Sequence, residues 1–83
     1  KAQCTQLAAM AHDGLARCIS PAHTPFDGDT LFALSLGDSA PAPASLALLG
    51  TLAAEVTARA ILHAVRHAVG RPGCPAARDL LVV

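Results

Sequence analysis

The sequence predicts an α+β fold, with helices laid against at least one strand, in a chain that forms part of a larger folded body. Three observations lead there. Two long stretches repeat their apolar residues at helical spacing. Residues 30–36 are apolar on both sides of an extended backbone, the pattern of a strand buried on two faces. Hydrophobic residues make up 53% of the 83 positions and charged residues 14%, which is apolar for a small domain with its large surface-to-volume ratio. A lone strand leaves its own backbone groups unpaired. Partner strands and cover for the apolar faces are therefore expected from another polypeptide or another segment.

The first helix is expected from Ala2 to about Ile19. Cys4, Leu7, Ala8, Ala11, Leu15, Cys18 and Ile19 form one apolar stripe, with Gln3, Gln6, Asp13 and Arg17 mostly off it. Asp13 and Arg17 stand four apart and are expected to pair. Gly14 costs a helix interior about 1 kcal/mol relative to alanine, so its presence points to a close approach by another backbone. His12 reads as a helix-flank residue. Pro21 ends the helix.

A loop follows, containing Pro21, Pro25 and His23, which is either a satisfied loop histidine or a proton shuttle. Its last part, Phe26-Asp27-Gly28-Asp29-Thr30, is a tight turn that carries two carboxylates into the strand. In extended backbone, residues two apart point the same way. Asp27 and Asp29 therefore face one side, and Gly28 lets the chain bend between them. Such a pair is either a site or a solvated turn. Thr30, Phe32, Leu34 and Leu36 take one side of the strand and Leu31, Ala33 and Ser35 the other, and Gly37-Asp38-Ser39 ends it.

A connector with Pro41 and Pro43 leads to a second helix, opening at Pro43 or Ser45 and running to about Val69. Leu48, Leu49, Leu52, Val56, Ala60, His63 and His67 lie on or near one face, and Leu62, Val65 and Val69 add a second strip. Glu55 and Arg59 pair at four residues' spacing. A helix apolar nearly all round is expected to be buried on more than one side. Gly70 is the expected C-cap, and Pro72 prevents continuation. After the rigid connector of residues 71–75, the apolar tail from Leu80 to Val83 reads as a short edge strand or a plug.

Several function classes are disfavoured. Net charge is zero and no basic run exists, so nucleic-acid binding is not expected. Cys4, Cys18 and Cys74 are odd in number and lack metal-type spacing, which reads as free, buried or half-buried thiols in a reducing, cytoplasmic setting. His63 and His67 stand four apart without a third ligand or the Glu of an HExxH pattern, so neither a metal nor a cofactor is expected. The longest charge-free run, between Asp38 and Glu55, holds two prolines and is too short to span a bilayer. No membrane association is expected.

Two runs carry a family resemblance. They are Met10-Ala11-His12-Asp13-Gly14-Leu15-Ala16-Arg17 and Pro21-Ala22-His23-Thr24 continuing through Phe26-Asp27-Gly28-Asp29-Thr30-Leu31-Phe32-Ala33-Leu34. In this order they resemble the smaller subunit of the L-aminopeptidase/D-esterase family, which includes the β-peptidyl aminopeptidases and the endo-type nylon-oligomer hydrolase. The resemblance implies a four-layer αββα sandwich built by two chains, matured by self-cleavage of one precursor and assembled into a homo-oligomer. Residues 1–83 would be the smaller-subunit part of a single N-terminal-nucleophile-type hydrolase domain, lacking its first strand. The nucleophile, a Ser or Thr at the start of the smaller chain, would lie upstream of Lys1, since neither Thr5 nor Ser20 takes its place.

In the nylon-oligomer hydrolase branch, the two acids of the DGD turn belong to the catalytic neighbourhood, and they carry over to Asp27 and Asp29. The β-peptidyl aminopeptidase branch has a hydroxyl residue first and a Glu second. The resemblance thus implies cleavage of peptide, amide or ester bonds, with Asp29 orienting the nucleophile's amine and Asp27 in support. Substrate-binding residues are not identifiable, because the pocket would be shared with the larger chain. The competing readings are a non-catalytic structural or binding subunit of the same fold, and an unrelated small helical interaction module.

Overall fold

A computed structural model describes residues 2–36 and 45–80 of the chain. They form three helices: α1 (Ala2–Cys18), α2 (Leu46–His67) and the short α3 (Ala77–Leu80). Both long helices fall within two or three residues of the limits expected from apolar periodicity. Ser45 caps α2, its Oγ accepting the Leu48 N–H at 3.4 Å. The C-cap is Ala68 in extended backbone, its N–H donating to the Ala64 carbonyl. Gly70, expected in that role, lies instead against the Asp79 side chain and the Ala76 nitrogen.

The expected α+β architecture is corrected by the structure. There is no strand among the described residues, and the four-layer αββα arrangement is not present in them. Residues 28–36 run without regular secondary structure and make no backbone–backbone hydrogen bond with any described residue. Apolar patterning favours an extended backbone, but a strand exists only when a neighbour closes the hydrogen-bond ladder. No described segment of the chain supplies that neighbour. Phe32, Leu34 and Leu36 are consequently 86%, 91% and 94% exposed, where burial on both faces was expected.

The core is the crossing of α1 and α2, and it is built from small residues. Gly14 and Leu15 are buried on α1, Gly50 and Ala54 on α2. A Cβ on Gly14 would overlap the Ala54 carbonyl oxygen and stand 2.9 Å from the Thr57 Cβ and 3.0 Å from the Ala58 nitrogen. The glycine inside α1 thus admits the α2 backbone directly. The Cys18 thiol reaches across as well, donating to the Ala58 carbonyl at 3.2 Å. All three cysteines are free; Cys4 and Cys18 are half-buried as expected, whereas Cys74 is exposed.

Two sequence expectations about polar and apolar faces change. Arg17 does not pair within α1 but reaches Glu55 of α2 at 3.6 Å, while Arg59 holds the same carboxylate at 3.1 Å. The close approach at Gly14 brings Arg17 within range of Glu55, which already faces Arg59 one turn along α2. α2 also packs through its small residues rather than its large ones. Leu48, Leu52 and Val56, assigned to a buried face, are exposed. By length and composition α2 is apolar enough to cross a membrane. Glu55 and Arg59 stand near its middle, however, where a bilayer centre would disfavour each charge by roughly 2.5–3.5 kcal/mol.

Beyond α2 the chain turns at residues 71–74, where Arg71 and Cys74 exchange two backbone hydrogen bonds of 2.8 Å and Gly73 takes φ +75°. The Asp79 carboxylate accepts the Ala76 N–H at 2.9 Å, fixing the start of α3. Arg78 donates to the Arg66 carbonyl at 3.3 Å and ties α3 to the end of α2. Leu80, expected in an edge strand or plug, closes this helix, and residues 81–83 lie outside the described residues. The stop at Gly37-Asp38-Ser39 and the proline connector also lie outside them.

Candidate functional site

The site begins where α1 stops. The chain reverses at Ser20 and Pro21, joined by a cis peptide bond, and comes back along the helix end. His23 takes φ +59°, left-handed backbone that costs a side-chain-bearing residue about 1–2 kcal/mol. Its ring stacks on that of His12 from α1, with centroids 4.5 Å apart and planes 30° apart. Aromatic stacking of this kind contributes about 0.5–1.5 kcal/mol, comparable with the backbone strain it accompanies.

One residue later the loop closes on itself. The Thr24 N–H and hydroxyl both donate to Asp27 Oδ2, at 2.7 and 2.9 Å. The Asp27 N–H returns a bond of 3.0 Å to the Thr24 carbonyl. Side chains that bond nearby backbone in this way fix turns without help from tertiary structure. These donors favour the charged carboxylate and hold Asp27 below its ordinary value of 3.8. The Thr24 backbone N–H contributes most and its hydroxyl next; slight desolvation opposes them, and the charge of nearby His23 adds a smaller lowering.

Asp29 differs. It is exposed and makes no hydrogen bond or ion pair with any described residue. The two acids thus sit on one turn but in different states of engagement: Asp27 is committed to Thr24, whereas Asp29 presents an open carboxylate. A Cβ on Gly28 between them would meet nothing within 4 Å. Both acids face solvent rather than a buried corner, and the hydroxyl at hand is Thr24's, on Asp27.

Beside this turn runs a groove of about 870 Å³ between α1 and residues 31–35. Cys4, Ala8, His12 and Asp13 line its helical wall, and neither Asp27 nor Asp29 enters it. His63 and His67 lie at the far end of α2, rings 4.4 Å apart, with the His67 Nδ1 2.9 Å from the His63 carbonyl oxygen. No cluster of three or more metal-binding side chains occurs among the described residues.

Sequence reasoning placed the acids but missed the histidine pair. His12 and His23 each fall within one of the two distinctive runs, but their stacking depends on the chain reversal at Pro21, which spacing alone does not reveal.

Comparison with known proteins agrees with those runs. The chain is 45% identical over 91 aligned positions to a protein named uncharacterized aminopeptidase in Mycobacterium tuberculosis, strain H37Rv, covering 95% of this chain and 26% of the relative. The same figures hold for a similarly named protein of Mycobacterium bovis. A Mycobacterium leprae protein of that description is 42% identical over 86 positions, covering 89% of this chain and 24% of its own length. The chain therefore spans about a quarter of the length of the curated relatives it matches. No solved structure matches it. The family match takes in α1, the histidine stack, the acidic turn and the whole of α2: residues 1–76 fit the family model, and the chain belongs to Peptidase family S58.

Proposed function

We propose that this chain is the smaller-subunit part of a self-processed aminopeptidase or amidohydrolase, with a Ser or Thr nucleophile supplied from upstream of Lys1. The observation that carries the reading is the match of residues 1–76 to a peptidase family. The larger chain, cut from the same precursor, would bring the oxyanion donors and most of the substrate pocket, and the two-chain unit would assemble further.

Within that reading the two acids divide the work. Amide hydrolysis needs a nucleophile, a base and stabilisation of the oxyanion. An N-terminal hydroxyl residue uses its own amine as base, and a carboxylate beside it holds that amine and orients the hydroxyl. Asp29 takes this part, since its carboxylate is uncommitted while that of Asp27 is tied to Thr24. Two neighbouring carboxylates repel when both are ionised. Pairing Asp29 with the ammonium formed when the amine takes the hydroxyl proton relieves that repulsion, and the ammonium then passes its proton to the leaving amine. Asp27 supports by holding the turn in shape.

The test is Asp29→Asn in the full-length protein, assayed on aminoacyl anilide and ester substrates. Turnover should fall about 10²-fold or more, the scale of a lost acid–base group, while assembly is unchanged. Asp27→Asn should cost less. Undiminished turnover in Asp29→Asn would remove that residue from the chemistry. Mass spectrometry of the mature protein provides a second check, since a smaller chain beginning at Ser or Thr is expected. The exposure of both acids favours one other reading, a non-catalytic binding or structural subunit. An uncut full-length chain without hydrolytic activity would establish that reading instead.

A further inference from the structure

We infer that His12 is a positioning residue for the acidic turn: its ring, set on α1, clamps His23 and through it fixes the Thr24–Asp27 loop that presents Asp29. The inference rests on the reading of Asp29 given above and adds residues that reading does not use.

The path is short and each link is visible. α1 is anchored by the glycine crossing with α2, so His12 stands on a helix held by packing. Its ring lies 4.5 Å from that of His23. His23 precedes Thr24, whose N–H and hydroxyl both engage Asp27, and Asp27 is separated from Asp29 by Gly28 alone. Beyond Thr24 the turn is held by a local bond from the Thr30 hydroxyl to the Gly28 carbonyl at 3.3 Å. Phe26 is 97% exposed, and residues 28–36 make no backbone–backbone hydrogen bond with any described residue. The stack is thus the described aromatic contact between helix and loop, and losing it frees the turn to swing relative to α1. His23 also holds left-handed backbone, φ +59°, which few side-chain-bearing residues adopt although histidine does so more often than most. The ionisable side chains close by are Asp13 and Cys4, which share the groove wall with His12, and Asp27 on the loop; residues 31–35 bring none.

A positioning role acts on turnover more than on binding, since a misplaced group loses transition-state contact. In the full-length enzyme, His12→Ala should lower kcat about tenfold with KM within about twofold. His12→Phe, which keeps a flat ring to stack, should recover most of the loss. His23→Ala should resemble His12→Ala, and the double alanine variant should be no slower than either single one, because one contact is lost in each case. Hydrogen exchange of the peptide spanning residues 21–29 should quicken in His12→Ala and not in His12→Phe. The inference is overturned if His12→Phe is as slow as His12→Ala, if the two single losses multiply, or if exchange in the loop is unmoved. Asp29→Asn, run alongside, separates the two levels. If it abolishes turnover while His12→Ala is normal, only the clamp fails. If it leaves turnover intact, both fail together. Should His12→Ala not assemble, His23→Ala decides the matter through the same loop exchange, which should quicken; unmoved exchange there overturns the inference.

Discussion

Gly14→Ala tests the helix crossing on which the arrangement of the site depends. A methyl group there gains roughly 1 kcal/mol of helix propensity. On an open helix surface the variant would therefore be more stable. Here the new Cβ meets the Ala54 carbonyl oxygen, with the Thr57 Cβ at 2.9 Å and the Ala58 nitrogen at 3.0 Å. Two of those three atoms belong to the α2 backbone, which cannot rotate away as a side chain does. Overpacking of this kind costs about 1–3 kcal/mol, and a rigid backbone obstacle places it at the upper end. The net expectation is a loss of about 1–2 kcal/mol after the propensity gain is subtracted. Urea denaturation of the full-length protein reads it as a lower midpoint at unchanged slope. Two companions sharpen the test. Gly50→Ala collides with the Met10 side chain, chiefly its flexible end, so it should cost less than Gly14→Ala. Gly28→Ala meets nothing within 4 Å and should leave stability unchanged. If Gly14→Ala proves as stable as the parent, the backbones do not touch as described.

Three further outcomes follow from particular contacts. The Asp27 carboxyl should titrate below 3.8, and Thr24→Val should move it back upward; carbon-detected NMR titration reads both. Because its folded value is the lower one, the turn's contribution to stability is complete above pH 3.8 and fades as pH falls through that folded value. Glu55→Gln removes both the 3.6 Å and 3.1 Å ion pairs. With all three side chains half or more exposed, the loss should be about 0.2–1 kcal/mol and smaller still in high salt. Ser45→Ala should cost about 0.5 kcal/mol, the low end for an N-cap, since its bond to Leu48 is long at 3.4 Å.

The helices were legible because their information is local. Spacing of Leu7, Ala11 and Leu15, the cap at Ser45 and the stop at Pro21 are all written within a turn or two of sequence. Gly14 was legible for a related reason, as a residue costly in a helix unless something passes close by. The sheet was not legible because a strand is a property of two segments. Residues 30–36 have the composition of a strand but no described neighbour to pair with. The Leu and Val residues of α2 misled in the same way, since large apolar side chains mark what will be covered without saying by what. Small residues did the packing within this chain. At the site, the paired acids stood out by their spacing of two. Their unequal engagement depended on Thr24, and the histidine stack depended on a chain reversal that no spacing rule encodes.

The bare run from Thr30 to Leu36 has a consequence for how such a chain is made and handled. It carries no charge and no proline, and its amides, without backbone partners among the described residues, lie alongside exposed Phe32, Leu34 and Leu36. Short segments of that kind stack readily on copies of themselves into fibrils. From its emergence at the ribosome onward, every moment this stretch stays bare is an opportunity for clumping. Dilution, chaperones and a partner that covers the segment would govern yield more than the sturdiness of the helical pair.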